Sequence, residues 1–364
     1  MRRDWDSCNL ADYRITLSSP HLPTQHERVT LPEDIAEWLI PKFKQFSISG
    51  GSLPGTEADD YDDEEDEPEY VTKDYMVGFG RQLYQEIAPS RFITTFEQLQ
   101  ATLGDEFKTI QIYTDEPSIS WELMVPIGSD QLLGLSHAIG RWIIPKHRSN
   151  FTVPGQHLTA EKIYLVTPSY EGNLKLYSTA GESRFIGQLF EDSAELVTAK
   201  YNPVKQLLQQ SNASIIHYSG HGYAQRDEAQ NVVDYGLILE DQRLKALNWR
   251  GMMVGKENAS LIFFNACEVG LAERGAGFVD GWSKALTDTG SREFISSLWE
   301  LGDRGAAKFS QRFYTEIDPQ LKEDSEATVA EAIRKAKLSF NKSENPTDVA
   351  YVYYGDVGLK VELN

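Results

Sequence analysis

Two short segments carry side chains that could act together in covalent catalysis. They are residues 219–222 (Ser-Gly-His-Gly) and 265–268 (Asn-Ala-Cys-Glu), and each follows an apolar run with β-branched or aromatic residues. Cys267 is one of only 2 cysteines in 364 residues. A thiolate is a strong nucleophile, and a neighbouring imidazole can lower the pKa of a thiol and transfer its proton. The two segments therefore predict nucleophilic catalysis by Cys267 with His221 as its partner.

The residue types also predict how an amide bond would be cleaved. Cys267 would attack the carbonyl carbon, and His221 would protonate the leaving amine and later activate water. Backbone N–H groups beside catalytic residues can stabilise the oxyanion, and those of Gly222 and Cys267 are the candidates. A cysteine at such a position, taken alone, is more typical of a packed core residue. The glycines on both sides of His221 favour the catalytic interpretation, because they allow a tight turn and a close approach to substrate.

A metal site is the competing interpretation of the histidines. His217 and His221 are four residues apart, a spacing that serves zinc when both lie on one face of a helix. This segment has the composition of a strand and contains Gly220, so we expect no metal there and no cofactor. His217 is then a packed or hydrogen-bonded neighbour.

Charge and composition exclude several classes of function. The formal net charge is −20, and ten acidic residues with no basic one lie between positions 57 and 69. No basic patch is present, which disfavours direct binding of nucleic acid. No apolar stretch approaches the roughly 20 residues that span a membrane, and the first residues lack the apolar core of a signal peptide. With two cysteines there is no disulfide framework, so we expect a cytoplasmic protein with no membrane association.

The order of predicted elements indicates an α/β fold with a mostly parallel sheet and helices on both faces. Strands are predicted at 162–167, 214–218, 236–239, 261–264, 294–299 and 349–354, and helices at 182–208, 277–287, 305–314 and 328–340. Because open α/β sheets place their sites at the carboxyl ends of strands, His221 and Cys267 should meet there.

The first part of the chain has a different pattern. We predict a strand at 13–18, helices at 31–46, 77–87 and 94–103, and a strand at 109–114. Residues 47–70 should form a solvated acidic loop, with a docking or autoinhibitory role as the alternative. A division into a supporting unit of residues 1–157 and a catalytic unit of residues 158–364 follows.

At its two motifs the chain resembles the CHAT family of caspase-like cysteine peptidases, which belongs to the clan of caspases, separases and gingipains. Residues 215–222 (Ile-Ile-His-Tyr-Ser-Gly-His-Gly) resemble the family's histidine motif, and residues 261–270, with Asn-Ala-Cys-Glu-Val-Gly, its cysteine motif. The separation of 46 residues (267 − 221) is close to the 50 or so of caspases. Residues 294–299, 353–356 and 120–123 (Ser-Trp-Glu-Leu, with Ser120 replacing proline) resemble further family segments.

The resemblance implies a caspase-like sheet with a degenerate N-terminal α/β subdomain packed beside it, and a regulated endopeptidase with His221 and Cys267 as its dyad. No long cleavable linker separates Cys267 from the next predicted strand, so activation by a protein or ligand is expected rather than by processing into subunits. The resemblance also places Asn265, Ser297, Trp299 and Asp303 around the pocket for the P1 residue, the substrate residue before the cleaved bond. Asp303, whose alternative role is a helix N-cap, favours a basic or uncharged P1 over aspartate.

The resemblance further suggests a role in bacterial defence or programmed cell death, in which the substrate is one partner protein such as a gasdermin-like pore-former or another effector. A catalytically silent caspase-like scaffold is the alternative function. Another thiol enzyme, such as an amidase, has no supporting motif in the sequence.

Overall fold

A computed structural model describes residues 10–32, 35–49, 71–114, 116, 119–143, 157–209, 214–226, 232–252, 260–266, 282, 293–322 and 328–363. Residues 50–70 of the predicted acidic loop at 47–70, most of the predicted helix at 277–287, and Cys267 lie outside these residues, whereas residues 47–49 are the end of a helix.

Strands and helices alternate along most of the chain. The strands are β1 (Leu10–Ser19), β2 (Leu22–Pro32), β3 (Thr109–Thr114), β4 (Ala138–Ile143), β5 (His157–Ala160), β6 (Lys162–Val166), β7 (Ala194–Val197), β8 (Ser214–Gly220), β9 (Gly222–Arg226), β10 (Val232–Ile238), β11 (Arg243–Lys245), β12 (Ser260–Ala266), β13 (Glu293–Ser297), β14 (Tyr351–Tyr354) and β15 (Lys360–Leu363). The helices are α1 (Ile35–Ser49), α2 (Lys73–Ile87), α3 (Ser90–Leu103), α4 (Leu133–Ser136), α5 (Thr179–Phe190), α6 (Tyr201–Leu208), α7 (Ala246–Met252), α8 (Asp303–Lys322), α9 (Val329–Lys337) and α10 (Phe340–Ser343).

The centre of the molecule is an eight-stranded sheet with the order β3-β4-β14-β13-β12-β8-β6-β7. Its neighbours run parallel except for β13 and β14, which are antiparallel. The sheet direction therefore reverses once, between a block of five strands and a block of three. This arrangement confirms the predicted α/β class with a mostly parallel sheet.

Helices cover both faces of this sheet, as the side chains of β12 show. Successive residues of a strand point to opposite faces. Phe263 packs against Phe309 and Phe313 of α8, whereas Phe264 packs against Trp249 of α7. A strand that is buried on both faces needs a continuous apolar run, and β12 is buried at every position.

The strands of the first part of the chain belong to the same sheet as those of the second. β3 pairs with β4, and β4 pairs with β14 through Arg141 and Tyr354. The Arg141 guanidinium forms a buried ion pair with Glu122, in the turn before α4. The division at residue 157 stays a prediction.

Two regions differ from the predicted elements. The N-terminal strand β1 pairs with β2 in a long antiparallel hairpin that was not predicted. β2 ends at Pro32, so it includes the first two residues of the helix predicted at 31–46, and α1 starts at Ile35. The predicted helix at 182–208 is α5, the edge strand β7 and α6. The two end residues of β7 are half-buried and its two middle residues are exposed, so burial does not alternate and the sequence carries no strand pattern here. No helix in the described parts of the chain is both long and apolar enough to cross a membrane.

Candidate active site

The two predicted catalytic residues come directly after neighbouring strands that are in register. β8 and β12 are parallel, and their last pairs are Ser219 with Asn265 and Gly220 with Ala266. His221 is the next residue after Gly220, and Cys267 is the next after Ala266 in the sequence. Both predicted catalytic residues are therefore next in sequence to one paired position of the sheet. The dyad itself stays a prediction, because Cys267 is outside the described residues.

The His221 imidazole is held through one of its two nitrogens. Its Nε2 lies 2.8 Å from the carbonyl oxygen of Leu174. A carbonyl oxygen can only accept a hydrogen bond, so Nε2 carries a proton. In the neutral ring Nδ1 is then the nitrogen with a free lone pair, which is the form required of a general base. The contact to Leu174 thus fixes both the tautomer and the orientation of the ring.

The backbone after His221 leaves an N–H group unused by the adjoining sheet. Gly222 pairs with Leu237 of β10, and the Ile238 N–H donates to the carbonyl of His221 at 2.9 Å. That bond makes Gly222 and Leu237 a non-hydrogen-bonded pair of the antiparallel ladder. The Gly222 N–H therefore points away from β10, as the predicted role of an oxyanion donor requires.

A buried carboxylate ties together the strands beneath the site. Glu182, in the first turn of α5, is 1% exposed. It accepts four hydrogen bonds: to Oε1 from His217 Nε2 (2.8 Å), Asn265 Nδ2 (2.7 Å) and Ser310 Oγ (2.5 Å), and to Oε2 from Ser219 Oγ (2.6 Å). Ser219 and Asn265 each stand two residues before a predicted catalytic residue. Glu182 thus connects β8, β12, α5 and α8 at the end of the two strands.

The charge of Glu182 follows from this environment. Burial alone would raise its pKa, but the hydrogen bonds and charge of His217 and the hydroxyls of Ser219 and Ser310 outweigh burial, so the pKa is lowered. Sequence reasoning missed Glu182, since a glutamate in the first turn of a helix normally indicates only a favourable helix start. The four residues that donate to it are 35 to 128 residues away in the chain, so no local sequence pattern predicts these contacts.

A pocket opens beside His221 between α5 and α8. Its acidic residues are Glu182 and Asp303, its apolar wall is formed by Leu176, Leu301 and Ala306, and no lysine or arginine is among its described lining residues. Asp303 begins α8, and its Oδ2 accepts the backbone N–H groups of Tyr177 (2.8 Å) and Ser178 (2.9 Å). The described lining of the pocket therefore combines carboxylates with apolar side chains.

The structure places two of the four predicted pocket residues at this pocket. Asn265 and Asp303 line it, although the Asn265 amide is already bound to Glu182 and accepts from Tyr351 at 2.6 Å. Ser297 is fully buried, with its Oγ 3.4 Å from the carbonyl of Ala266.

Trp299 is also buried, and it lies apart from the pocket lining. Its ring packs against Phe43 and Phe46 of α1, with centroid distances of 5.4 and 5.1 Å. The arrangement explains an indole at this position by packing, and a role in substrate binding stays a prediction.

No metal-binding cluster is formed in the part of the chain that the structure describes. No group of three or more His, Cys, Asp or Glu side chains there has the geometry to hold an ion. His217 directs its Nε2 to Glu182.

The sequence matches one known domain family, and the structure is similar to known α/β protease structures. The sequence profile of the CHAT domain matches residues 147–355. Among solved structures, the arginine-specific cysteine proteinase gingipain R is similar with a TM-score of 0.50 and 11% identity over 79% of this chain and 74% of that chain. None of the curated proteins matches the chain.

Two further solved structures have lower scores. The complex of the pro- and mature domains of RgpB from Porphyromonas gingivalis has a TM-score of 0.47 and 12% identity over 91% of this chain and 78% of that one. The separase–securin complex of Saccharomyces cerevisiae has a TM-score of 0.44 and 16% identity over 92% of this chain but 23% of that one. At these identities the likenesses concern the fold.

Proposed function

Because this chain belongs to the CHAT domain family and has the fold of caspase-like cysteine peptidases, we propose that it is a cysteine endopeptidase with a Cys267–His221 dyad. The observation that carries the proposal is the register of β8 and β12, in which Gly220 pairs with Ala266. The residue after Gly220 is His221, whose imidazole has a defined tautomer, and the residue after Ala266 is Cys267, one of the chain's 2 cysteines.

The proposed reaction follows from the groups at the site. The Cys267 thiolate adds to the carbonyl carbon of the scissile amide, and the Gly222 and Cys267 N–H groups stabilise the oxyanion. His221, protonated at Nδ1, gives that proton to the leaving amine as the C–N bond breaks, which leaves a thioester. Water then adds to the thioester while His221 Nδ1 takes its proton, and the C–S bond breaks to release the acid and the thiolate. Nε2 keeps its proton on Leu174 throughout.

The acidic pocket supports a basic or uncharged P1 residue. A lysine or arginine side chain could lay its methylenes on Leu176 and Leu301 and place its charge near Asp303. An aspartate at P1 would meet the carboxylate of Asp303, and no lysine or arginine is among the described lining residues to pair with it. Asn265 would contribute less directly, since its amide is occupied by Glu182 and Tyr351.

We further propose a regulated, cytoplasmic protease that acts on one partner protein and is controlled by an upstream protein or ligand. Defence or programmed cell death is the proposed setting, with a gasdermin-like or other effector as substrate. These proposals are supported by the family alone.

The test compares new protein N-termini in cells that express the wild type, Cys267→Ala or His221→Ala. We expect the wild type to create N-termini that share one P1 class, and both variants to lose them, because loss of a catalytic nucleophile costs about 10⁴–10⁶-fold in rate. Cys8→Ala, which removes the other cysteine, is the matched control and should cleave normally.

Two results would contradict the proposal. Cleavage that persists in Cys267→Ala would exclude this residue as the nucleophile. Absence of any wild-type cleavage, with the same partner proteins captured by the wild type and Cys267→Ala, would indicate the scaffold function instead.

A further inference from the structure

Two tyrosine hydroxyls meet beside the backbone of His221. Tyr170 lies in the loop after β6, and Tyr218 is in β8, three residues before the histidine. Their hydroxyl oxygens are 3.0 Å apart, and each lies 2.7 Å from the carbonyl oxygen of Ile238. The two side chains therefore share one acceptor on β10, the strand that also donates to His221.

Tyr170 contacts His221 in two ways. Its hydroxyl oxygen accepts the backbone N–H of His221 at 3.0 Å. Its ring packs against the imidazole, with 4.8 Å between the ring centroids and an angle of 54°. Tyr170 thus restrains both the main chain and the side chain of the histidine.

Tyr218 contacts the other backbone polar group of His221, its carbonyl. The single hydroxyl proton of Tyr218 is shared between the carbonyl oxygens of His221, at 2.9 Å, and Ile238, at 2.7 Å, and the His221 carbonyl also accepts the Ile238 N–H. His221 is therefore bound at its backbone N–H, at its backbone carbonyl and at Nε2. None of these contacts uses Nδ1, which is the ring nitrogen that transfers the proton in the proposed reaction.

Gly220 makes the close approach of both hydroxyls possible. A Cβ atom at this position would lie 2.6 Å from the Tyr170 hydroxyl and 2.8 Å from the Tyr218 hydroxyl. Contacts below 3.0 Å would force the hydroxyls to move. A glycine immediately before the histidine is therefore explained by this pair of tyrosines.

We infer that Tyr170 and Tyr218, named here the tyrosine clamp, are positioning residues that hold the His221 imidazole for proton transfer. The inference rests on the proposed function, because positioning has meaning only if His221 transfers protons. A misplacement of about 1 Å can cost about 100-fold in rate, so a clamp that fixes the backbone and ring acts directly on catalysis.

The experiment compares an amide with an activated ester of the same acyl sequence. An amide needs His221 to protonate its leaving amine, whereas a nitrophenolate leaves without a proton. Tyr170→Phe keeps the ring and removes the hydroxyl. We expect it to lower kcat/KM for the amide about 10–100-fold, mainly in kcat, and to affect acylation by the ester much less. Tyr218→Phe should act in the same direction.

The matched control is Tyr164→Phe, in β6, which removes a tyrosine hydroxyl from a residue that pairs with Ile216 and Glu195 in the sheet. It should leave the ratio of amide to ester rates unchanged. An equal fall in both rates for Tyr170→Phe, or no fall in either, would overturn the inference, since loss of folded enzyme lowers both rates together.

A second measurement separates this inference from the proposed function. The ¹⁵N signals of the His221 ring, assigned with His221→Ala, should shift in Tyr170→Phe and not in Tyr164→Phe. If the wild type hydrolyses neither substrate, the proposed function fails, and unchanged His221 signals in Tyr170→Phe would overturn the clamp independently.

Discussion

The two carboxylates of the pocket differ in what they can offer a substrate. Glu182 is saturated by four donors and is almost wholly buried, so it acts as a cross-link between strands and helices. Asp303 is partly exposed, and both of its N–H contacts use the single oxygen Oδ2. At the scale of single residues, Asp303 is therefore the acid that we propose would meet a substrate cation.

Asp303→Asn should weaken cleavage after a basic P1 residue. The amide oxygen can still accept from Tyr177 and Ser178, but the charge is lost. Since a hydrogen bond to a charged group contributes about 1.5–3 kcal/mol, kcat/KM for an arginine or lysine substrate should fall about 10–100-fold. The measurement is kcat/KM for matched peptides with arginine or glutamine at P1, and the glutamine peptide is the control. An unchanged ratio, or strict cleavage after aspartate, would refute the role of Asp303.

At the scale of elements, α2 packs unusually closely on the turn that carries Glu122. Gly80 has no side chain to separate the two elements, and its backbone carbonyl accepts a hydrogen bond from the Val125 N–H at 3.0 Å. A Cβ atom at Gly80 would lie 2.3 Å from the carbonyl oxygen of Leu123 and 2.7 Å from Val125 Cγ2. The helix can approach the turn only because this position is glycine.

Two alanine substitutions in α2 should therefore have opposite effects on stability. Gly80→Ala forces the helix away from backbone atoms and should lower the free energy of unfolding by about 1–3 kcal/mol. Gly78, in the same helix, has no atom within 4 Å of a Cβ position, so Gly78→Ala should raise stability by up to about 1 kcal/mol. Urea unfolding of both variants measures this, and equal changes would contradict the packing argument.

The elements most accessible from the sequence were those with continuous apolar runs. β6, β8, β12 and β13 were predicted within two residues at each end, because central parallel strands are buried on both faces. β7 was missed, since an edge strand has no such run and its composition also suits a helix. The hairpin partner β2 was missed because most of its residues are polar, so the alternation of half-buried and exposed positions along it has no matching apolar pattern in the sequence.

The candidate site was predictable only in part, for a related reason. His221 stands out by its flanking glycines and by its position after an apolar run. The clamp residue Tyr170 lies in a loop 51 residues earlier, where no period connects it to the histidine. Contacts between residues so far apart in sequence depend on how the whole chain folds. The composition and spacing of a short segment therefore do not predict them.

At the scale of the whole molecule, a buried cluster of charges links the first part of the chain to the last helices. Glu122 and Arg141 form an ion pair, and Lys337 of α9 is buried nearby. Burial lowers the pKa of Lys337 to about 8, with Glu122 opposing and Arg141 reinforcing the shift. The ammonium form of Lys337 is therefore less stable in the folded protein than in the unfolded chain.

The pH dependence of stability should reveal this lysine. Below about pH 8 both the folded and unfolded states hold the proton, whereas between about 8 and 10.5 the unfolded state holds more. Stability therefore rises with pH in that window, by up to about 3 kcal/mol. The rise should end near pH 10, where unfolded tyrosines ionise while buried ones such as Tyr84, with a pKa raised to about 12, do not.

Urea unfolding at pH 7.5 and 9.5 checks this expectation. The wild type should be more stable at the higher pH, and Lys337→Met, which keeps an unbranched chain of similar length, should lose most of the difference. A wild type that is less stable at pH 9.5, or a variant with the same slope, would show that Lys337 is not the group responsible.

Neither strand that leads into the candidate site is an edge of the sheet. β8 lies between β6 and β12, and β12 lies between β8 and β13. The register that pairs Gly220 with Ala266 can form only after segments far apart in the chain have assembled the centre of the sheet. In the proposed protease, a nascent or heat-damaged copy would therefore have no assembled site, and hydrolysis would be confined to copies whose central strands have paired.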